Sequence, residues 1–321
     1  MSELLKSIDA RTKLAGTNKL EILLFFLGVD QRTGRRETYG INVFKVREVM
    51  RTPPITSAPD MPASVEGMVS LRGVLVPVVD LAKYTGIAAN TPRDIMIVTE
   101  YAGHTQGFLV EGVDTILRLD WSKMRVPPEM LTAQTGGLVT AVTELEDGRL
   151  VMMMDVEKIL AETTTYDDEM MYRGVVKVNR PETTVFYCDD SSVARRQIEK
   201  TLATMGVKSV SAVNGRQMWD ELEKMAAYAQ SIGKAPSELI SLVLTDIEMP
   251  EMDGYILTKK IKTDPRFTGV QVIMHSSLSG MSNQKLGQSV GVDEYVPKFE
   301  PQRLSETLSR RLAGNVPANA A

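Results

Sequence analysis

From Val185 onward, short apolar runs alternate with longer stretches in which apolar residues recur every three or four positions. This double rhythm constrains the fold more than any other feature, because strands separated by amphipathic helices pair in parallel and use the helices to cover the sheet. Val185-Phe-Tyr-Cys reads as a strand buried on both faces. Ile198, Leu202 and Met205 then share one helix face before Gly206, a natural C-terminal cap. Val207 to Val213 is the second strand, and Met218, Leu222, Met225 and Ala229 mark the helix after it. Leu239 to Leu244 is the third and most apolar strand, and Val270 to Met274 and Tyr295-Val296 complete five.

The chain before this point follows a different rule. Between about Leu20 and Leu160, β-favouring runs such as Tyr39-Gly-Ile-Asn-Val, Gly73-Val-Leu-Val-Pro-Val-Val and Gly107-Phe-Leu-Val are punctuated by Gly, Pro, Asp and Asn, a spacing that suggests a barrel or sandwich. After Leu160, the stretch Ala161-Glu-Thr-Thr-Thr-Tyr-Asp-Asp-Glu is polar and lacks a period, which reads as a linker. The expected organisation is multidomain: a leader helix over 1–19 with Leu4, Leu5 and Ile8 on one face, an all-β domain over 20–162, a linker over 163–182, an α/β domain over 183–313 and a flexible tail over 314–321.

Composition narrows the function classes. Of the 321 residues 43% are hydrophobic and 24% charged, which is ordinary for a soluble globular protein, and the length suits about two domains. A net charge of −4 offers no broad basic field for a nucleic-acid backbone, so no nucleic-acid partner is expected. Cys188 is the single cysteine and has no internal partner, which fits a reducing cytoplasm. The apolar run Ile22 to Val29 is too short for a membrane span, which needs about 20 residues, and no signal peptide precedes it. The expectation is a cytoplasmic chain without direct membrane insertion.

Three carboxylates fall just beyond strands: Asp189 and Asp190 after the first, Asp246 after the third. If the strand order reverses after the first strand, as in flavodoxin-like folds, the first and third strands become neighbours and the three acids converge in one crevice. Close carboxylates repel unless a cation is present, and hard oxygen ligands suit Mg2+. An Asp beside Mg2+ can attack phosphorus and form an acyl phosphate. Lys298, beyond the fifth strand, is placed to hold a phosphoryl oxygen, and the Ser276 hydroxyl at the end of the fourth can donate a further hydrogen bond. Taken singly, Asp190 before Ser191-Ser192 is equally a helix N-cap, Lys298 a surface lysine and Ser276 a turn serine. The ordered set, each member at its own strand end, carries the reading.

Residues 183 to 312 resemble a response-regulator receiver domain, most specifically at Leu244-Thr-Asp-Ile-Glu-Met-Pro-Glu-Met-Asp-Gly. The resemblance implies a (βα)5 parallel-sheet fold, Asp246 as phosphoacceptor, Asp189 and Asp190 as the acidic pair, the backbone carbonyl of Glu248 as a further metal ligand, Ser276 as the switch hydroxyl and Tyr295 as the aromatic that reorients with it. Receivers usually carry Lys-Pro, whereas here Phe299 follows Lys298 and Pro297 precedes it. This departure concerns the geometry of the loop and leaves the lysine in place. His104 lies in a Gly-flanked turn and His275 before Ser276, and neither sits in a helical phosphotransfer motif, so the phosphoryl donor is expected to be a partner protein or a small phosphodonor.

Residues 20 to 160 hold no catalytic set. The segment Val65-Glu-Gly-Met-Val-Ser-Leu-Arg-Gly-Val-Leu-Val-Pro-Val-Val-Asp-Leu is similar to the CheW-type coupling domain of bacterial chemotaxis, as are Tyr39-Gly-Ile-Asn-Val-Phe-Lys-Val-Arg-Glu-Val and Asp147-Gly-Arg-Leu-Val-Met-Met-Met-Asp-Val-Glu-Lys-Ile-Leu. That resemblance implies two small β-barrels bridging the cytoplasmic tips of chemoreceptors to a histidine kinase. Arg72 matches the family's functional arginine, and Val46, Glu48 and Val113 match receptor-contact positions, although Arg72 before Gly73 also reads as a turn residue and both valines as core. Met152-Met153-Met154 reads as strand core.

A coupling domain followed by a receiver is similar to the arrangement of CheV-type proteins. It implies a scaffold at the receptor array, tuned by Mg2+-dependent phosphorylation of Asp246, with no substrate turnover beyond loss of its own phosphoryl group. The alternatives are a phosphate sink for the kinase and a metal-dependent phosphatase of the haloacid dehalogenase type. The latter needs Asp-x-Asp after its first strand, where this chain has adjacent acids.

Overall fold

A computed structural model describes residues 19–57, 59–101, 104–163, 171–178, 183–276 and 288–314. They fall into two compact units, one over Lys19–Thr165 and one beginning at Tyr166. The leader positions Leu4, Leu5 and Ile8 and the tail beyond Gly314 lie outside the described residues.

In the first unit, β1 (Lys19–Phe26), β2 (Thr38–Asn42), β3 (Val46–Arg51), β4 (Val65–Leu71), β5 (Val74–Asp80), β6 (Ile95–Tyr101), β7 (His104–Val110), β8 (Gly112–Asp120), β9 (Val139–Glu144) and β10 (Leu150–Met154) build two five-stranded sheets. Their orders are β8-β1-β2-β10-β9 and β3-β6-β7-β5-β4. Only the β2/β10 and β5/β7 pairs are parallel. Among the described residues of this unit are the short α-helices α1 (Leu81–Thr85), α2 (Glu129–Gln134) and α3 (Val156–Thr163).

Strand alternation explains the continuous apolar runs here, because both faces of the central strands are buried. Leu20, Ile22 and Leu24 of β1 enter one core with Trp121, Met124, Val151 and Met153. Leu23 and Phe25 enter a second core, which also takes Ile97, Phe108 and Val110 from the other sheet. Val76, Val78, Met96, Val98 and Leu109 form a third core on the far face of that other sheet. Each sheet thus has its own interior and shares a middle layer with the other, as expected for a double barrel. Of the methionine triple, Met153 faces the first core and Met154 the shared one, with Met152 packed beside it.

The second unit runs β11 (Thr184–Cys188), α4 (Ser192–Met205), β12 (Lys208–Ala212), α5 (Gly215–Ser231), α6 (Pro236–Leu239), β13 (Leu242–Thr245), α7 (Gly254–Thr263), β14 (Val272–Ser276), β15 (Glu294–Pro297) and α8 (Pro301–Gly314). Its five strands are all parallel, in the order β12-β11-β13-β14-β15. Val185 and Tyr187 face the α4 and α8 side with Ile198, Leu202, Leu304 and Leu308, while Phe186 and Cys188 face the α5 and α7 side with Met218, Leu222, Leu257 and Ile261. Ser191, Asn214 and Asp253 cap α4, α5 and α7 through side-chain oxygens that accept backbone N–H bonds. Gly206, at φ 76°, closes α4 as expected.

Two expectations shift. The third strand begins at Leu242, because Pro236 at the start of α6 and the Glu238 carboxylate, which accepts from the Ala235 N–H at 2.8 Å, hold Pro236–Leu239 as a helical turn. Part of the expected linker, 171–178, lies against the second unit: Tyr172, Val175 and Val178 join the core of α4 and α8. The Val178 N–H donates to the Met205 carbonyl at 2.9 Å and the Val176 N–H to Ser305 Oγ at 3.0 Å. An irregular strap of this kind needs no helical or alternating period, so it read as linker.

Candidate functional site

The neighbouring of β11 and β13 places Cys188 opposite Thr245, so the residues that follow each strand leave the sheet side by side. The Asp246 N–H donates to the Cys188 carbonyl at 2.9 Å, which ties the two strand ends together. Asp189, Asp190 and Asp246 each offer a carboxylate oxygen within 4.8 Å of the others. Asp189 and Asp246 are buried and Asp190 is half-buried. The Ser191 N–H donates to Asp189 Oδ1 at 2.9 Å, and the Ile247 N–H to Asp246 Oδ1 at 2.7 Å.

Lys298 enters this pocket from the end of β15. Its N–H donates to the Ser276 carbonyl at 3.2 Å, which sets the loop against β14. Its ammonium, 2% exposed, lies 2.8 Å from Asp189 Oδ2 and 3.1 Å from Asp246 Oδ2. The Pro297-Lys298-Phe299 departure is absorbed just after the lysine, where Phe299 turns at φ 64°. Ser276, buried at the end of β14, pairs in register with Pro297.

The loop from Asp246 to α7 is tight. Glu248 is partly exposed two residues after the acid, and the Gly254 N–H returns to the Ile247 carbonyl at 2.9 Å. A Cβ at Gly254 would overlap the carbonyl oxygen of Asp246, so this position demands glycine for space. Ile247, Tyr255 and Met274 form a small buried cluster against which Tyr295 packs, with the Tyr255 hydroxyl bonded to Tyr295. Burial, reinforced by Tyr295, drives the Tyr255 phenol far above its usual range. Cys188 beneath the pocket is inert: its thiol donates to Thr245 Oγ1 at 3.2 Å, and burial pushes its pKa up.

The donor set is oxygen throughout. Among the described residues this is one group of three acids able to share a cation, and carboxylates so close with a single lysine between two of them suit a small hard ion such as Mg2+.

The coupling positions are divided. Arg72, in a left-handed conformation at φ 51°, sits at the β4–β5 turn and its guanidinium lies 3.0 Å from Glu48 of β3. Val46 is buried in the shared core, and Val113 is exposed on β8 of the other sheet. The structure therefore brings Arg72 and Glu48 together, buries Val46 two residues before Glu48 on β3, and leaves Val113 on the other sheet. Two residues at the pocket escaped the sequence reading. Gly254 had a signal in the Asp-Gly that ends the loop, whereas Tyr255 had none, since its partner is set by folding.

A family model for the CheW-like domain matches residues 24–164, and one for the response regulator receiver domain matches residues 185–309. The chain is 29% identical to chemotaxis protein CheV3 of Helicobacter pylori, over 93% of this chain and 96% of that protein. It is 31% identical to chemotaxis protein CheW of Klebsiella aerogenes, over 47% of this chain and 87% of that protein. It is 34% identical to chemotaxis protein CheY1 of Helicobacter pylori, over 40% of this chain and 94% of that protein.

Proposed function

Because the chain belongs to the CheW-like family through its first unit and to the response-regulator receiver family through its second, the arrangement of the CheV chemotaxis proteins, we propose that it is a chemotaxis coupling scaffold whose action is set by phosphorylation of Asp246. The observation that carries this reading is the buried Asp189–Lys298–Asp246 constellation at adjacent strand ends.

In this mechanism an Asp246 carboxylate oxygen attacks the phosphorus of a donor, and the bond from phosphorus to the donor breaks with its electron pair leaving on the donor. Mg2+ held by the carboxylates of Asp189, Asp190 and Asp246 and the carbonyl of Glu248 would offset charge on the transferring group. Lys298, already within reach of Asp246, exchanges part of that contact for a phosphoryl oxygen. The Ser276 hydroxyl turns to donate to another phosphoryl oxygen, and Tyr295 follows it inward. The added charge of nearly −2 thereby biases the surface near β15.

The first unit supplies the attachment. Arg72 and Glu48, paired on one barrel, and Val113 on the other contact the cytoplasmic tips of chemoreceptors or the chemotaxis histidine kinase, which places the protein at receptor arrays on the cytoplasmic side of the membrane. In this reading attachment proceeds through protein partners; among the described residues no helix is long and apolar enough to cross a membrane.

The test has two parts. Intact-mass analysis after incubation with Mg2+ and acetyl phosphate should give a labile phosphoryl adduct on wild type and none on Asp246→Asn. Pull-down with receptor-array membranes should then differ between the phosphorylated and unphosphorylated protein. An adduct that survives in Asp246→Asn would remove Asp246 as acceptor, and identical pull-down in both states would remove phosphorylation as the control of coupling.

A further inference from the structure

At the mouth of the acidic pocket, three residues connect β11 to α4: Asp189 and Asp190, and then Ser191, the N-cap of the helix. Backbone carbonyls outside a strand or helix need a hydrogen-bond donor from elsewhere. Arg195 supplies it. One guanidinium nitrogen, Nη1, donates to the Asp189 carbonyl at 2.7 Å and to the Asp190 carbonyl at 2.9 Å. Arg195 is in the first turn of α4, its own N–H bonded to the Ser191 carbonyl at 3.0 Å, and its side chain runs back toward the helix N-terminus as helical side chains do.

That placement opposes the helix dipole, which disfavours a cation at an N-terminus. A cation here is accounted for by what it holds. Two carbonyls gripped by one rigid head fix the backbone of both acids, and with the Ser191 N–H on Asp189 Oδ1 at 2.9 Å the turn has little freedom to swing a carboxylate out of the pocket. The same guanidinium also offsets part of the repulsion among acids crowded within 4.8 Å.

We propose that Arg195 is a positioning residue for the metal site: it presets the Asp189–Asp190 turn so that both carboxylates face the cation together. It touches neither the ion nor the phosphoryl group. This inference rests on the reading of the pocket as a Mg2+ site and adds to it a residue outside the acids, the lysine and the serine.

The experiment is a calorimetric titration of the full chain with Mg2+ alone, without phosphodonor, comparing wild type, Asp190→Asn, Arg195→Met and Arg195→Lys, with the thermal unfolding midpoint of each. Loss of an outer-shell partner typically weakens metal binding by about 10- to 100-fold, so Arg195→Met, which keeps the aliphatic stem, should weaken Mg2+ by about tenfold or more. Arg195→Lys, which keeps a donor able to reach the turn, should recover part of that loss. Wild-type affinity in Arg195→Met would overturn the inference, and so would a lowered unfolding midpoint with unchanged affinity, the mark of a purely structural role. If wild type binds Mg2+ and Asp190→Asn does not, the metal reading stands independently of Arg195. If wild type and Asp190→Asn are equally indifferent to Mg2+, that reading fails and this inference falls with it.

Discussion

The Tyr255 hydroxyl is hydrogen-bonded to Tyr295, joining the first turn of α7, just beyond the loop that follows Asp246, to the strand that leads into Lys298. The link matters because Tyr295 is the aromatic expected to move. Tyr255→Phe keeps the ring in its cluster with Ile247 and Met274 and removes only the hydroxyl. The expected result is a modest loss of stability, about 1 kcal/mol, together with greater freedom of the Tyr295 ring. Fluorotyrosine NMR of the full chain checks it, and a Tyr295 resonance indifferent to the substitution would show that the hydroxyl pair does not hold the ring.

Lys298 is the buried cation between two buried acids, so its removal leaves their charge uncompensated. Lys298→Met should destabilise the second unit by about 3–5 kcal/mol. Saturating Mg2+ should return part of that loss, since the ion replaces the missing positive charge. Urea denaturation with and without Mg2+, followed through Trp219, measures both effects. Unchanged stability in the metal-free variant would mean that the acids are neutralised in some other way.

Gly254 has no room for a side chain against the Asp246 carbonyl. Backbone, not a pliable side chain, is in the way, so Gly254→Ala should cost about 1–3 kcal/mol as an overpacked site and displace the acceptor loop. The rate of acetyl phosphate labelling, read by intact mass, should fall with it. Labelling at the wild-type rate would place the strain away from Asp246.

Arg72 and Glu48 form an exposed pair, and exposed pairs contribute about 0–1 kcal/mol. Arg72→Ala should therefore leave unfolding nearly unchanged while lowering recovery in receptor-array pull-down. The exchange of both charges, Arg72→Glu with Glu48→Arg, restores the pair but inverts its polarity. Recovery of pull-down by the exchange would mean that the pair acts by shaping the β4–β5 turn, and continued loss would mean that a partner reads the arginine itself.

Much of this protein is written locally in its chain. The change from strand-only punctuation to strand and helix alternation separates an all-β unit from a parallel α/β unit, because side-chain period is a property of successive residues. The positions of Asp189, Asp190, Asp246, Ser276 and Lys298 at the ends of apolar runs are equally local, and they read as a set for handling a phosphoryl group once the first and third strands are supposed to be neighbours, as the observed order β12-β11-β13-β14-β15 makes them. The tertiary structure decided which of these ends meet and what else joins them. The ammonium of Lys298 between Asp189 and Asp246, the Arg195 grip on two carbonyls, the Tyr255–Tyr295 bond and the Arg72–Glu48 pair all depend on how strands are ordered and helices packed. The burial of Val46 and the packing of Val175 and Val178 against α4 and α8 belong to the same class. No period or spacing encodes them, because the distance between residues remote in sequence is set by the closing of a core, which every buried side chain determines jointly.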